Sequence, residues 1–181
     1  MYIWVGVEVE DQIAEIKKSA FEIEKKIGFE NSNFTLPMHI SLKISFLVPD
    51  SVVQGVMDDI EALYCSVTPF SIEVDKIECY ENIAWIRYKQ NDYLDSIHDQ
   101  LNSMLLEKYG VGLHEYDCDY KFHTTLFMEN NEEKIRASYE MVRNTYLPKT
   151  ISVNKLLIGA SDSGGLGTYR VVREVNIDRN F

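Results

Sequence analysis

The four-residue sequence HISL begins at His39, and the related sequence HTTL begins at His123. In each, a hydroxyl side chain follows the histidine by two residues, Ser41 in the first and Thr125 in the second. Polar and apolar residues alternate from His39 to Val48, and residues 122–128 are rich in β-forming residues, so both stretches are predicted to be strands. Because alternate residues of a strand project from the same face, each histidine is expected to share a face with its hydroxyl residue.

The two motifs lie 84 residues apart in a chain of 181 residues, so they are separated by about half its length. Each motif precedes a helix-like pattern and then a pair of strand-like patterns. This weak internal repeat predicts an α+β fold that is bilobal and pseudo-symmetric, with two mostly antiparallel sheets and flanking helices around a central cleft. We expect residues 1–181 to form a single domain built from two interleaved α+β lobes.

Hydrophobic periodicity and breaker residues give the order of the elements. Asp11 and Asp50 are predicted to cap the first two helices, and Gly28 and Gly110 to end the first and third. Pro148 is predicted to end the fourth helix. The predicted strands are 1–10, 39–48, 70–80, 82–89, 122–128, 150–160 and 168–177. Loops are predicted at 31–37, 111–121 and 161–167. The third and fourth helices are predicted at 91–109 and 131–146.

Composition excludes several classes of protein. The chain is 45% hydrophobic and 26% charged, which fits neither a disordered chain nor a membrane-spanning one. Its formal net charge of −11 repels the phosphate backbone of long nucleic acid. If the protein handles nucleotides, we expect a small nucleotide or a short oligonucleotide, no long nucleic acid and no membrane partner. Its oligomeric state is not predicted.

Two features of the sequence predict where the protein is located: the start of the chain and the cysteines. Residues 1–8 lack the basic start and apolar run of a signal peptide, and no apolar run approaches the roughly 20 residues that cross a bilayer. Cys65, Cys79 and Cys118 are odd in number and form no CxxC pair, which suits reduced thiols. We therefore expect a cytoplasmic protein.

Two imidazoles facing each other across a cleft can divide acid and base duties, because histidine titrates near neutral pH. In phosphoester chemistry the base deprotonates an attacking water or ribose hydroxyl, and the acid protonates the leaving oxygen. Hydroxyl groups such as those of Ser41 and Thr125 can bind the non-bridging phosphate oxygens. The residues identified supply no carboxylate cluster for a divalent ion, so we expect no metal and no cofactor, and a bell-shaped pH dependence centred near neutrality.

The paired motifs resemble the signature of the two-histidine (2H) phosphoesterase superfamily, which includes the so-called 2′-5′ RNA ligases and cyclic nucleotide phosphodiesterases. The resemblance implies a metal-independent site between the lobes, with His39 and His123 catalytic and with Ser41 and Thr125 binding the substrate phosphate. It implies 2′,3′-cyclic phosphates, 2′-5′ linkages or related cyclic phosphates of small nucleotides as substrates. Apolar Phe127 follows the second motif where many ligase-like members carry a basic residue, which argues against ligase-type contacts to long RNA.

Three further residues are candidate substrate contacts. Lys43 follows Ser41 on the same predicted face and could add positive charge near a phosphate, although it could equally reach solvent. Tyr169 and Phe127 could stack on a nucleobase. For Trp85, packing in the core is the preferred interpretation.

Other polar residues have simpler interpretations. His98 lies in a charge-rich helix and is expected to be solvated. His114, Cys118 and His123, with Asp117 or Asp119, have spacings that do not match structural zinc sites, which favours no metal.

Two function classes stay open at this point. One is a hydrolase acting on phosphoric diester bonds, and the other is a non-catalytic nucleotide-binding module that uses the same cleft. The sequence favours the enzyme, because binding alone does not require both imidazoles. A protein-interaction domain has no feature in its favour.

Overall fold

The computed structural model describes residues 1–30, 34–118, 120–165 and 167–177. Within these ranges the chain forms eight strands, four α-helices and two short 3₁₀ helices, Glu10–Ile13 and Glu115–Asp117. In chain order the elements are β1 (Tyr2–Glu8), α1 (Ala14–Ile27), β2 (His39–Leu47), α2 (Val53–Tyr64), β3 (Phe70–Tyr80), β4 (Ile83–Tyr88), α3 (Asp92–Tyr109), β5 (His123–Met128), α4 (Glu132–Val142), β6 (Thr150–Val153), β7 (Lys155–Ser161) and β8 (Arg170–Asn176).

The strands form two four-stranded antiparallel sheets. The first sheet has the order β2-β1-β7-β8, and the second has the order β5-β4-β3-β6. The histidine strands β2 and β5 therefore occupy equivalent edges, and the two edges contact each other. This arrangement confirms the predicted α+β class and the pseudo-symmetric pair of sheets.

The helices are exchanged between the halves of the chain. Helix α1, from the first half, packs with α4 on the second sheet, whereas α3, from the second half, packs on β2 and contacts α2. The buried apolar residues of both halves belong to one cluster. On this basis we propose that the two lobes fold as one unit.

Two of the three predicted helix C-termini are correct, for local reasons. Gly28 and Gly110 adopt the left-handed conformation that ends α1 and α3, with φ of 79° and 68°. The Asn91 side chain caps α3 by accepting hydrogen bonds from two backbone amides. Helix α4 ends at Val142 rather than close to Pro148, so the proline follows the end of the helix without defining it.

The predicted cap at Asp50 is wrong. Helix α2 begins at Val53, and Val52 at its N-cap makes no side-chain cap. The Asp50 carboxylate instead accepts a hydrogen bond of 3.0 Å from the terminal ammonium of Met1. The predicted first helix likewise opens with a 3₁₀ turn, and Asp11 lies within that turn.

The single strand predicted at 150–160 is two strands in different sheets. The chain leaves the second sheet after Val153 and enters the first sheet at Lys155. Two consecutive polar residues, Asn154 and Lys155, interrupt the hydrophobic alternation at the crossing, but an interruption this short does not by itself show that the chain changes sheet. The predicted turn at 161–167 does connect β7 and β8. Leu166 in this turn and residues 31–33 of the predicted loop 31–37 lie outside the described residues.

No helix in the described part of the chain combines the length and the apolar character needed to cross a membrane. The three cysteines are free, with Cys65 and Cys118 exposed.

Candidate active site

The edge strands β2 and β5 bring the two sequence motifs together. His39, Ser41, Thr125 and Tyr169 line one cavity of about 310 Å³ between the lobes. His123 is the residue of β5 that lies two positions before Thr125, and its charge acts on the His39 ring. The predicted convergence of the motifs on one cleft is therefore present in the structure.

Both imidazoles are held in the same way. The Nδ1 atom of His39 lies 2.7 Å from the carbonyl oxygen of Pro37, and that of His123 lies 2.7 Å from the carbonyl oxygen of Lys121. A carbonyl oxygen can only accept a hydrogen bond, so each Nδ1 carries the hydrogen. In the neutral ring the lone pair is then on Nε2, the nitrogen that is left to act on a ligand.

Burial keeps these rings neutral. Loss of hydration lowers the pKa of His39 to about 4, and this effect outweighs the opposing hydrogen bond to Pro37, while His123 adds a further lowering. Burial also lowers the pKa of His123, against the hydrogen bond to Lys121. Near pH 7 both free imidazoles can therefore serve as bases, and an acid must gain its proton when substrate binds.

A tryptophan supports each histidine. Trp4, in β1, packs edge-on against His39 with ring centroids 4.2 Å apart, and its Nε1 donates a 2.9 Å hydrogen bond to Oγ of Ser41. The Tyr120 hydroxyl also hydrogen-bonds Ser41. The Ser41 side chain is thus oriented by a buried indole and a half-buried tyrosine before any ligand binds.

Two glycines create the space for Trp4. A Cβ added at Gly6 would lie 2.4 Å from the indole, and one added at Gly159 would lie 2.7 Å from it. The indole therefore lies directly on the backbone of β1 and β7, where any larger residue would displace it. Sequence reasoning missed Trp4, although an aromatic residue two positions from a glycine on a strand is a usable signal for such close packing.

The second lobe is arranged differently. Trp85, in β4, lies with its ring centroid 4.5 Å from that of His123, but its Nε1 points to Glu78 at 3.5 Å rather than to Thr125. Burial acts to raise the pKa of Glu78, yet hydrogen bonds from Lys76 and Trp85 and the charge of Arg87 leave it below its ordinary value. Trp85 is only half-buried, so its predicted place in the core is wrong.

The predicted substrate contacts at Lys43 and Phe127 are contradicted by the burial of both side chains. An extra residue in each strand explains this burial. In β2 the register places Gly6 opposite Ser41 but Val5 opposite Lys43, so Leu42 is an extra residue. In β5 Leu126 is the extra residue. A bulge interrupts strict alternation, and it turns the next side chain away from the histidine face.

The buried side chains pair within the protein. Lys43 has a side chain 2% exposed, and it forms an ion pair with Asp117 and a 3.3 Å hydrogen bond to the carbonyl oxygen of Gly112. Phe127 is fully buried and packs against Phe29, with centroids 5.7 Å apart. Neither side chain lines the cleft.

His98 is buried rather than solvated, which corrects the sequence-based expectation. Its Nε2 lies 3.1 Å from Nδ2 of Asn102 and 3.8 Å from Oδ1 of Asp117, and its ring stacks on Tyr120. Buried Lys43, Asp117 and His98 thus form a polar layer that leads to Ser41 through half-buried Tyr120. The charge-rich sequence of α3 gives no indication of it.

Tyr169 keeps its predicted place in the cleft. It lines the cavity with Thr35 and Leu36, and its hydroxyl hydrogen-bonds Ser45. The described residues contain no group of three or more His, Cys, Asp or Glu side chains that could hold a metal ion. Asp119, one alternative ligand of the zinc arrangement considered above, lies outside them.

Comparison with known proteins gives a family for this fold. Residues 6–165 match the family model of the 2′-5′ RNA ligase superfamily. Over 73 residues the chain is 29% identical to a "Putative phosphoesterase" of Geobacillus thermodenitrificans (strain NG80-2), and this alignment covers 39% of the chain and 42% of the relative. The aligned part is thus well under two thirds of that relative's length.

Solved structures show the same fold across the chain. TT0787 of Thermus thermophilus superposes with a TM-score of 0.69 at 13% identity, with all of both chains covered. LigT of E. coli, solved in complex with 3′-AMP, superposes with a TM-score of 0.62 at 13% identity, covering 98% of both chains. At these identities the likeness concerns the fold.

Proposed function

The chain belongs to the 2′-5′ RNA ligase superfamily, and from this premise we propose that it is a metal-independent phosphodiesterase of small nucleotides. Its substrates are 2′,3′-cyclic or 2′-5′-linked phosphoesters, and His39 and His123 are the acid–base pair. The observation that carries the proposal is the identical anchoring of the two rings, which leaves Nε2 of each imidazole free of that contact, on adjacent strands whose residues His39, Ser41 and Thr125 line one cavity. That LigT binds 3′-AMP supports a small nucleotide as ligand.

In the proposed reaction, Nε2 of one neutral histidine takes a proton from a water molecule as the water oxygen attacks phosphorus. The bond from phosphorus to the leaving ribose oxygen breaks, and the other histidine, protonated at Nε2, gives its proton to that oxygen. The hydroxyl groups of Ser41 and Thr125 donate to the non-bridging oxygens. Trp4 orients Ser41 for this role.

A binding module without turnover is the second candidate, and the neutrality of both free histidines favours it. Acid catalysis needs one of them protonated near pH 7, although burial lowers the pKa of each. A bound phosphate anion would raise these pKa values, because a nearby negative charge favours the imidazolium. The enzyme proposal therefore depends on substrate binding to supply the acid.

A substrate panel tests the proposal. Purified protein is assayed in excess EDTA with 2′,3′-cyclic mononucleotides and 2′-5′-linked dinucleotides, and phosphorus NMR identifies the products. We expect turnover of at least one member, with a single regioisomer formed. Binding without turnover in all conditions would favour the binding module, and turnover that needs added Mg²⁺ or Mn²⁺ would overturn the two-histidine mechanism.

We also propose that the protein acts in the cytoplasm. Its three free cysteines, two of them exposed, are suited to a reducing compartment. Oxidation of these thiols in a secreted preparation would be expected to form non-native disulfides, which non-reducing electrophoresis detects.

A further inference from the structure

An aromatic row extends from His123 across an open face of the second sheet. Trp85 lies beside His123, and on its other side Tyr80 is stacked nearly parallel to it, with centroids 6.4 Å apart and planes at 6°. Tyr80 is 65% exposed. Large aromatic side chains are usually withdrawn from water, so an exposed stacked pair next to a catalytic candidate suggests a ligand.

This face of the sheet is the one that the helices leave uncovered. Ile77, Ala84 and Ile86 alternate with the aromatic residues and are buried in the core, on the side where α4 packs on β3 and β4. Trp85 and Tyr80 point the opposite way. They line an open groove of about 670 Å³, which has room for a nucleoside and which continues over the edge of β3 to Ile77, Cys79 and Tyr139 of α4.

The groove also carries positive charge, in a chain whose net charge is −11. Lys76 and Arg87 line it but are neutralised by Glu78 and Asp75. Lys121 lines it as well, and among the described residues it has no ion-pair partner. Lys121 is therefore suited to a phosphate or ribose oxygen close to His123.

Pockets thus lie on both sides of the histidine pair. The cavity with Tyr169 adjoins His39, and the groove with Trp85 and Tyr80 adjoins His123. A cyclic mononucleotide whose phosphate lies between the histidines fills only one of them. A phosphodiester with a nucleoside on each side of the phosphate fills both.

We propose that the groove at Trp85, Tyr80 and Lys121 is a nucleobase-binding subsite, and that the preferred substrate carries two nucleosides joined through the reacting phosphate. One base stacks on the aromatic row, an interaction that tolerates any base because every base has a π face. The ammonium of Lys121 contacts the backbone of the same nucleotide. This inference rests on the proposed function.

The test compares two substrates, 2′-5′-linked ApA and adenosine 2′,3′-cyclic phosphate. Tyr80→Ala and Lys121→Met alter the groove while leaving both histidines and the Lys121 carbonyl in place. We expect each variant to lower the ratio of kcat/KM for ApA to that for the cyclic nucleotide about ten-fold, because Tyr80→Ala removes a stacking partner of the base and Lys121→Met removes a charged contact to the nucleotide backbone. Tyr146→Ala is the control, because Tyr146 is 83% exposed and lies outside the groove, so the ratio should not change.

Binding is measured separately from turnover, so that the two proposals can fail independently. Trp4 lines the cavity beside His39, so ApA and the cyclic nucleotide can both quench its fluorescence. The additional quenching that ApA causes beyond the cyclic nucleotide should be lost in Trp85→Phe. Quenching that depends on Tyr80, without turnover of any substrate, would support the subsite and overturn the enzyme. Turnover with an unchanged ratio in both groove variants would overturn the subsite and leave the enzyme standing.

Discussion

Trp4 donates a hydrogen bond from Nε1 to Oγ of Ser41 while its ring packs against His39, so one indole positions two residues of the cleft. The indole occupies this place because Gly6 and Gly159 have no Cβ to exclude it. A serine that accepts from an indole keeps its own hydrogen for another acceptor, which is the Tyr120 oxygen until a phosphate oxygen replaces it. This arrangement suits a hydroxyl group that binds a phosphate oxygen.

Trp4→Phe should lower kcat/KM about ten-fold, because it removes the hydrogen bond to Ser41 but keeps an aromatic ring against His39. Ser41→Ala should lower kcat/KM by a similar factor. If Trp4 acts through Ser41, kcat/KM of the double variant should be no lower than that of Ser41→Ala, because the two substitutions remove the same interaction. Steady-state kinetics of the four proteins measures this, and strictly multiplicative losses would contradict the coupling.

His39→Asn and His123→Asn should each lower kcat at least about 10²-fold, the usual contribution of a positioned acid or base. Asparagine can still donate to the carbonyl oxygen that anchors Nδ1, but it has no counterpart of Nε2. Circular dichroism should show an unchanged fold. His114→Asn is the matched control, because His114 is exposed and caps only a short 3₁₀ helix, and normal activity in either cleft variant would refute the two-histidine mechanism.

The pH profile of kcat/KM should be bell-shaped, with its optimum on the acid side of neutrality. The free enzyme needs one neutral and one protonated histidine, and burial lowers the pKa of His39 to about 4 and that of His123 below its ordinary value. Activity should fall at higher pH as the acid loses its proton, and at lower pH as the base gains one. The two limbs of this profile report macroscopic pKa values for the coupled pair of histidines.

The profile of kcat should be displaced to higher pH than that of kcat/KM, since bound phosphate favours the imidazolium. Assays between pH 4 and 8 at constant ionic strength measure both profiles, with circular dichroism at each pH to exclude unfolding. The sequence alone, with ordinary histidine pKa values, predicts an optimum near neutrality. An alkaline optimum would show that burial does not control these groups.

Lys43→Met or Asp117→Asn alone should lower the free energy of unfolding by about 3–5 kcal/mol, because each leaves one buried charge unpaired. The double variant should recover much of that loss, since the asparagine can still accept from the His114 amide. Urea denaturation measures all three. Lys89→Met breaks an exposed pair with Glu73 and should cost less than about 1 kcal/mol, and a similar cost at Lys43 would contradict its burial.

The sequence anticipated the candidate site only as far as strand periodicity holds. His39 and Ser41, like His123 and Thr125, are two residues apart on regular strand, so their shared face could be predicted. The bulges at Leu42 and Leu126 come one residue later and turn Lys43 and Phe127 away from the predicted face, while a second irregularity in β2 returns Ser45 to the cleft. Lys43 was therefore predicted in the cleft but lies buried against Asp117, a partner 74 residues away.

The sequence by itself determined the α+β class, the repeat, the two motifs and nearly all of the element order, because these depend on local periodicity and on turn residues. Only the tertiary structure decided what surrounds the histidines. Trp4 reaches His39 and Ser41, and Tyr120 reaches Ser41, across long separations in sequence that no local pattern encodes, whereas the carbonyl groups of Pro37 and Lys121 that anchor the rings are only two residues away. The lowered pKa of His39 has the same origin, since loss of hydration depends on the packed surroundings rather than on neighbours in sequence.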